Sequence, residues 1–116
     1  MASFSRIENL ISTIASGITG IGLLKDYDIR TPELEYFIES FGDLRVSVSA
    51  LAPIPQMKNY STSIEAIFSR LLARLPELRN QNVPEGTLEQ TLKDAKELHS
   101  VLDAVYTGFR TYTISI

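Results

Sequence analysis

His99 is the only histidine in the chain; Ser100 is its neighbour and Asp103 lies four residues on. These are the residue types of a nucleophile, a base and an orienting acid, but that chemistry needs three groups converging on one point. On a helix, residues 99 and 103 share a face while 99 and 100 point about 100° apart. The trio therefore reads as a surface histidine beside a carboxylate. One histidine and no cysteine also leave no zinc site of ordinary composition, no disulfide and no thiolate nucleophile. Carboxylates recur at i, i+4, as Glu35 with Glu39 and Glu39 with Asp43. A di-iron bundle needs Glu-x-x-His pairs aimed into its core, and these acids lie off the apolar seam, as a solvated stripe would. Asp26 and Asp28 have no glutamate at the distance a calcium loop requires.

The glycines of ASGITGIGLLKDY, residues 15–27, invite a nucleotide-binding reading. A phosphate loop needs G-x-x-x-x-G-K-[ST] between strand and helix. Gly17 and Gly22 have that separation, but Leu23 and Leu24 stand where lysine and Ser/Thr are required, and no strand precedes them. Gly17, Gly20 and Gly22 also read G-x-x-G-x-G rather than the dinucleotide order. No cofactor and no small-molecule substrate is expected, and the chain does not read as an enzyme.

The elements that must carry all these residues are helices. Phe4, Ile7, Ile11, Ile14, Ile18 and Ile21 step 3, 4, 3, 4, 3 along the chain, an a/d apolar seam. It predicts a helix over 3–24. Thr31, Pro32 and Glu33 form a helix start with an N-cap hydroxyl and a first-turn proline, and Leu34, Phe37, Phe41, Leu44, Val48 and Leu51 repeat the same steps. This predicts a helix over 32–52, ended by APIPQ. Ile64, Phe68, Leu71, Leu75 and Leu78 predict a third over 61–78, with Pro76 either stopping or kinking it. Thr87 and Gln90 have capping-box spacing; Ala95, Leu98, Leu102, Val105, Phe109 and Tyr112 predict a fourth over 87–110. The closing TYTISI alternates like a strand but is too short to pair alone, so a frayed or tucked end is expected. Four similar amphipathic helices with short connectors imply an all-α antiparallel four-helix bundle, one domain over 1–116.

Charge narrows the partners. The 116 residues carry a formal net charge of −3, which gives no general attraction to nucleic acid. Residues 32–52 hold four acids against Arg45, whereas 53–80 hold Lys58, Arg70, Arg74 and Arg79 against Glu65 and Glu77. Helices two and three are expected to face each other and pair across their rims; the sharper alternative is a basic patch of Lys58, Arg70, Arg74 and Arg79 for an acidic partner or anionic lipid. The N-terminus lacks the basic-then-apolar order of a signal peptide, and no uninterrupted apolar run reaches the ~20 residues of a spanning helix.

Two readings attach to Ile14, Gly17, Ile18, Gly20, Ile21 and Gly22. In one, Thr13 with Gly17 and Ser16 with Gly20 are small-x-x-x-small pairs that let another helix approach closely. In the other, residues 9–24 form a charge-free helix able to leave the bundle and enter a bilayer surface.

The pieces IENLISTIASGITGIGLL, PELEYFIESFGDLRVSVSAL and LEQTLKDAKELHSVLDAV, taken in that order, resemble the HeLo-like N-terminal domains of fungal NLR-type proteins. More distantly they resemble the four-helix executioner domain of mixed-lineage-kinase-like pseudokinases. The resemblance implies a helical bundle whose first helix targets membrane after oligomerisation, a role that falls on residues 7–24. It departs from that pattern in having only Arg6 and Lys25 as basic residues of helix one, and no signalling motif before Ile116.

The expectation is a non-enzymatic bundle acting through helix–helix association, as an adaptor or oligomerisation domain with a membrane-active role implied by the resemblance. Its partners would be protein, either self or a helical partner, and a membrane surface. Its place would be cytoplasmic with recruitment to membrane. The competing expectation is a structural or chaperone-like assembly subunit, of a viral particle or secretion system, that uses off-seam apolar residues Val46, Leu72, Val101 and Tyr106 for permanent association.

Overall fold

The computed structural model describes residues 2–49 and 58–115. It is an all-α four-helix bundle of α1 (Ala2–Tyr27), α2 (Pro32–Ser49), α3 (Ser61–Leu78) and α4 (Glu85–Ser115), 50 × 22 × 19 Å in extent. The helix α1 packs against α2 on one side and α4 on the other; α3 packs on α4, and α2 and α3 touch less than any of these pairs.

The predicted seams form one core. Ile7, Ile14, Ile21, Leu34, Phe37, Phe41, Phe68, Leu98, Leu102 and Val105 are each fully buried, with Ile11 and Ile18 partly buried against them. Phe37 meets Phe41 edge-on at 5.4 Å. Phe41 meets Phe68 at 5.0 Å, which ties α2 to α3 through aromatic contact. Leu51 and the APIPQ stop lie outside the described residues, as do positions 50–52 of the expected second helix. The structure describes no side chain at Phe4, Phe109 or Tyr112.

Helix ends follow local chemistry. Thr31 caps α2: its hydroxyl accepts the Leu34 amide at 3.1 Å, which satisfies one of the four orphan donors of that turn. The first helix runs to Tyr27 rather than stopping at 24, because Lys25 and Asp26 do not break a helix and Lys25 suits the negative end of its dipole. The stop falls at Asp28, at φ 55°, where the Asp28 amide donates to Leu24 O at 3.0 Å and the Ile29 amide to Leu23 O at 3.3 Å.

Pro76 lies inside α3, which continues one further turn to Leu78. The capping box at Thr87 and Gln90 is not used. The fourth helix starts at Glu85, where the Pro84 carbonyl accepts the Leu88 amide at 3.1 Å. Thr87 instead donates its hydroxyl to the Glu77 carboxylate at 2.8 Å. A proline before the first turn and an acid within it suit a helix start better than the box two residues on. The end expected to fray or tuck continues α4 to Ser115 instead, since continuing the ladder satisfies backbone groups that a lone strand cannot.

Both helix turns at one end of the bundle are joined by Arg30. Its guanidinium donates to Glu35 at 3.0 Å, to Leu78 O at 2.9 Å and to Asn80 O. A cation thus meets the last carbonyls of α3 and holds the α1–α2 turn against them.

Candidate association surfaces

The glycines of α1 divide into two kinds. A Cβ on Gly17 would fall 2.5 Å from the Phe37 ring, and one on Gly20 would fall 2.7 Å from Leu34 Cβ and 3.1 Å from the Thr31 hydroxyl. These two positions let α2 approach the α1 backbone. Gly22 has nothing within 4 Å of that point; it belongs with the outward face of the helix. That face is made of exposed Ser12, Ser16 and Thr19 with half-buried Ala15, Gly22 and Leu23, and it carries no charge. The Thr13 and Thr19 hydroxyls turn back onto the Asn9 and Ala15 carbonyls at 2.9 and 3.2 Å, so neither needs a partner outside its own helix. Where α1 meets the start of α2, an open groove of about 280 Å³ is lined by Ser12, Thr13, Ser16, Pro32, Glu33 and Tyr36.

Residues Ile7–Tyr27 form a helix long and apolar enough, by length and composition, to cross a membrane. This corrects the expectation that no such segment exists. Counting uninterrupted apolar residues missed it, because Gly, Ala, Ser and Thr interrupt a run yet oppose insertion little. In the bundle the same helix is a core element, with Ile7, Leu10, Ile14, Ile21 and Leu24 buried.

The four basic residues do not act together. Arg70 reaches Asp94 and Glu97 of α4, each at 3.3 Å, and Arg74 also grips Asp94. The Asp94 side chain is 6% exposed, so two arginines neutralise one buried carboxylate between α3 and α4. Arg79 and Lys58 are exposed at the two ends of α3 with no ion pair among the described residues. The expected pairing of α2 with α3 is therefore corrected. Its one ion pair among the described residues is Arg45–Glu65 at 3.1 Å, of opposite polarity to the segment charges. The arginines of α3 answer α4 because α4, not α2, is the neighbour α3 packs on most closely.

Of the off-seam apolar residues, Leu72, Val101 and Tyr106 are partly buried against the core. Only Val46 is exposed, and Tyr27, Ile29 and Tyr36 join it. Long off-seam side chains lie down on a neighbouring helix when the bundle groove is near, which a one-dimensional pattern does not show. His99 is half-buried, with Ser100 and Asp103 exposed. Among the described residues no three His, Asp or Glu side chains gather as a metal would require. No protein family, curated protein or solved structure matches this chain.

Proposed function

We propose that the chain is a non-enzymatic helical bundle that works through helix–helix association, as an adaptor or oligomerisation domain. The observation that carries this is the outward face of α1. From Asn9 to Leu24 its exposed positions are Asn9, Ser12, Ser16 and Thr19, with half-buried Ala15 and Gly22 beside them and no charge, whereas the exposed positions of the other helices include Glu39 and Asp43, Glu65 and Arg70, Lys93 and Lys96. A neutral face of small residues permits close backbone approach by another helix, and it has no charge that would oppose a bilayer surface. The HeLo-like resemblance adds a finer reading: α1 is then the segment that reaches membrane once copies have gathered.

The second reading, a subunit of a permanent assembly, draws its support from exposed Tyr27, Ile29, Tyr36 and Val46. Light scattering across a concentration series, with flotation on neutral and anionic vesicles, tests both. The Ser12→Lys/Ser16→Lys/Thr19→Lys variant changes only exposed positions, so it is expected to stay folded while losing association. A wild-type protein that stays monomeric and never floats overturns the proposal, as does a lysine variant that associates equally well. Association that survives these lysines but is lost with Tyr36→Ser/Val46→Ser supports the permanent-assembly reading.

A further inference from the structure

Chain order divides the bundle into two hairpins, α1–α2 and α3–α4, joined in sequence through residues 50–57 at one end. At the other end the α1–α2 turn meets the α3–α4 turn with no covalent join. An open cleft of about 300 Å³ lies between the hairpins there, lined by Leu24, Lys25 and Asp28 of the first and by Val83, Glu85 and Leu88 of the second. Leu24 and Leu88, each 6% exposed, are where the core reaches this cleft.

Arg30 bridges the same end. It belongs to the first hairpin and donates to Glu35 at 3.0 Å, but it also donates to Leu78 O at 2.9 Å and to Asn80 O of the second. The last turn of α3 explains why a cation is needed. Leu75 O takes the Arg79 amide at 3.2 Å and Glu77 O takes the Asn80 amide at 3.1 Å, whereas the Leu78 carbonyl is met from the other hairpin, by Arg30. A lysine lacks the planar fork that reaches a carboxylate and two carbonyls together. Leu34 of the first hairpin and Leu78 of the second are fully buried at this end.

We infer that Arg30 is a latch: the two hairpins part at the turn end, hinged on their covalent join, and the Arg30 guanidinium sets how often they do so. Local openings of this kind need less free energy than unfolding the whole chain. The cleft already separates the end of α1 from the start of α4, so parting breaks the Arg30 bonds and the leucine contacts beside them and leaves each hairpin intact. The join end is held differently. The chain itself closes it, and its Arg45–Glu65 pair joins side chains that are 43% and 49% exposed, an arrangement that adds little. The Arg30 side chain is only 29% exposed, and the backbone carbonyls it meets cannot turn away from it. A parted turn end gives Leu34 and Leu78 to solvent or to another helix. Under the association reading above, on which this use of the latch rests, parting sets the rate at which copies gather.

The chain has no cysteine, so one introduced at a buried position reports opening through its rate of thiol labelling. Leu78→Cys reads the turn end, and Ile64→Cys reads the opposite end of α3. Adding Arg30→Gln is expected to speed labelling at position 78 by about tenfold, the size of a lost charge-assisted hydrogen bond, and to leave position 64 within about twofold. Arg30→Lys should also speed position 78, because the fork is lost while the charge is kept. Arg45→Gln should leave position 78 within about twofold. Salt should speed position 78 in the presence of Arg30 and not in its absence. Equal acceleration at both positions overturns the proposal, since Arg30 then stabilises the bundle as a whole. So does an unchanged rate at position 78, or labelling at both positions that follows global unfolding in urea. Light scattering on the same variants reads the use of the latch: Arg30→Gln should associate faster than the wild type, and equal rates overturn that use. A wild type that never associates overturns the association reading, while the labelling rates still decide the latch.

Discussion

The α1–α2 seam and the α3–α4 seam hold similar helix pairs by different means. The first is neutral and steric: Gly17 and Gly20 let Phe37 and Leu34 sit against the α1 backbone. The second is ionic: Arg70 and Arg74 converge on a nearly buried Asp94, one turn beyond a fully buried Thr91 whose hydroxyl donates to the Thr87 carbonyl at 2.7 Å. Shape sets the register of one pair, and a charge that cannot be left alone sets it in the other. A seam of shape tolerates no added atom, whereas a seam of charge tolerates no missing partner.

The largest effect is expected where that charge is stranded. Arg70→Ala/Arg74→Ala leaves Asp94 buried without a cation and should cost about 3 kcal/mol or more, as breaking a buried pair does. Asp94→Ala should cost clearly less. The arginine side chains it frees are 42% and 23% exposed and can turn to water. Urea unfolding of the three proteins measures the asymmetry. If the aspartate variant proves the weaker protein, the ionic seam is ordinary packing and the comparison collapses.

Next comes the steric seam. Gly20→Val places branched atoms where even a Cβ would lie 2.7 Å from Leu34 Cβ, and overpacking of this kind costs about 1–3 kcal/mol. Helix propensity works the other way by up to about 1 kcal/mol, so a net loss shows that close approach dominates. Salt separates the two seams further. The Gly20→Val loss should be the same at low and high ionic strength, while the cost of Arg70→Ala alone should shrink as salt rises, because its guanidinium is partly in water.

The two seams were not equally legible in the sequence. Apolar steps of 3 and 4 located the helices, and the Thr31-Pro32-Glu33 start was recognisable because a cap is a local matter of a hydroxyl and an amide. The small-x-x-x-small pattern marked Gly17 and Gly20 as positions of close approach, although nothing local separates them from Gly22, which faces outward. Which helix answers Arg70 and Arg74 was not legible. Segment charge pointed to α2, but neighbours in a bundle are set by packing around the core, and α4 lies beside α3. The same limit explains Leu72, Val101 and Tyr106: periodicity puts them off the seam, and only the assembled groove shows them covered.

The smallest effects concern the two turns that close these seams, and there the expected signs are opposite. The α1–α2 turn passes through Asp28 at φ 55°, a left-handed conformation that costs most L-residues about 1–2 kcal/mol and aspartate somewhat less. The α3–α4 turn leaves its helix through Arg79 at φ −77° and ψ −15°, which any residue adopts. Glycine relieves strain at the first and only adds unfolded-state entropy at the second. Asp28→Gly should therefore raise stability by about 0.5 kcal/mol, and Arg79→Gly should lower it by a similar amount. Both side chains are exposed and make no ion pair among the described residues, so backbone conformation is the main thing each variant changes. Thermal unfolding of the pair reads the difference directly, as a shift upward for one and downward for the other. Two downward shifts would mean that Asp28 is held by more than its backbone, and that the neutral seam ends in a side-chain contact after all.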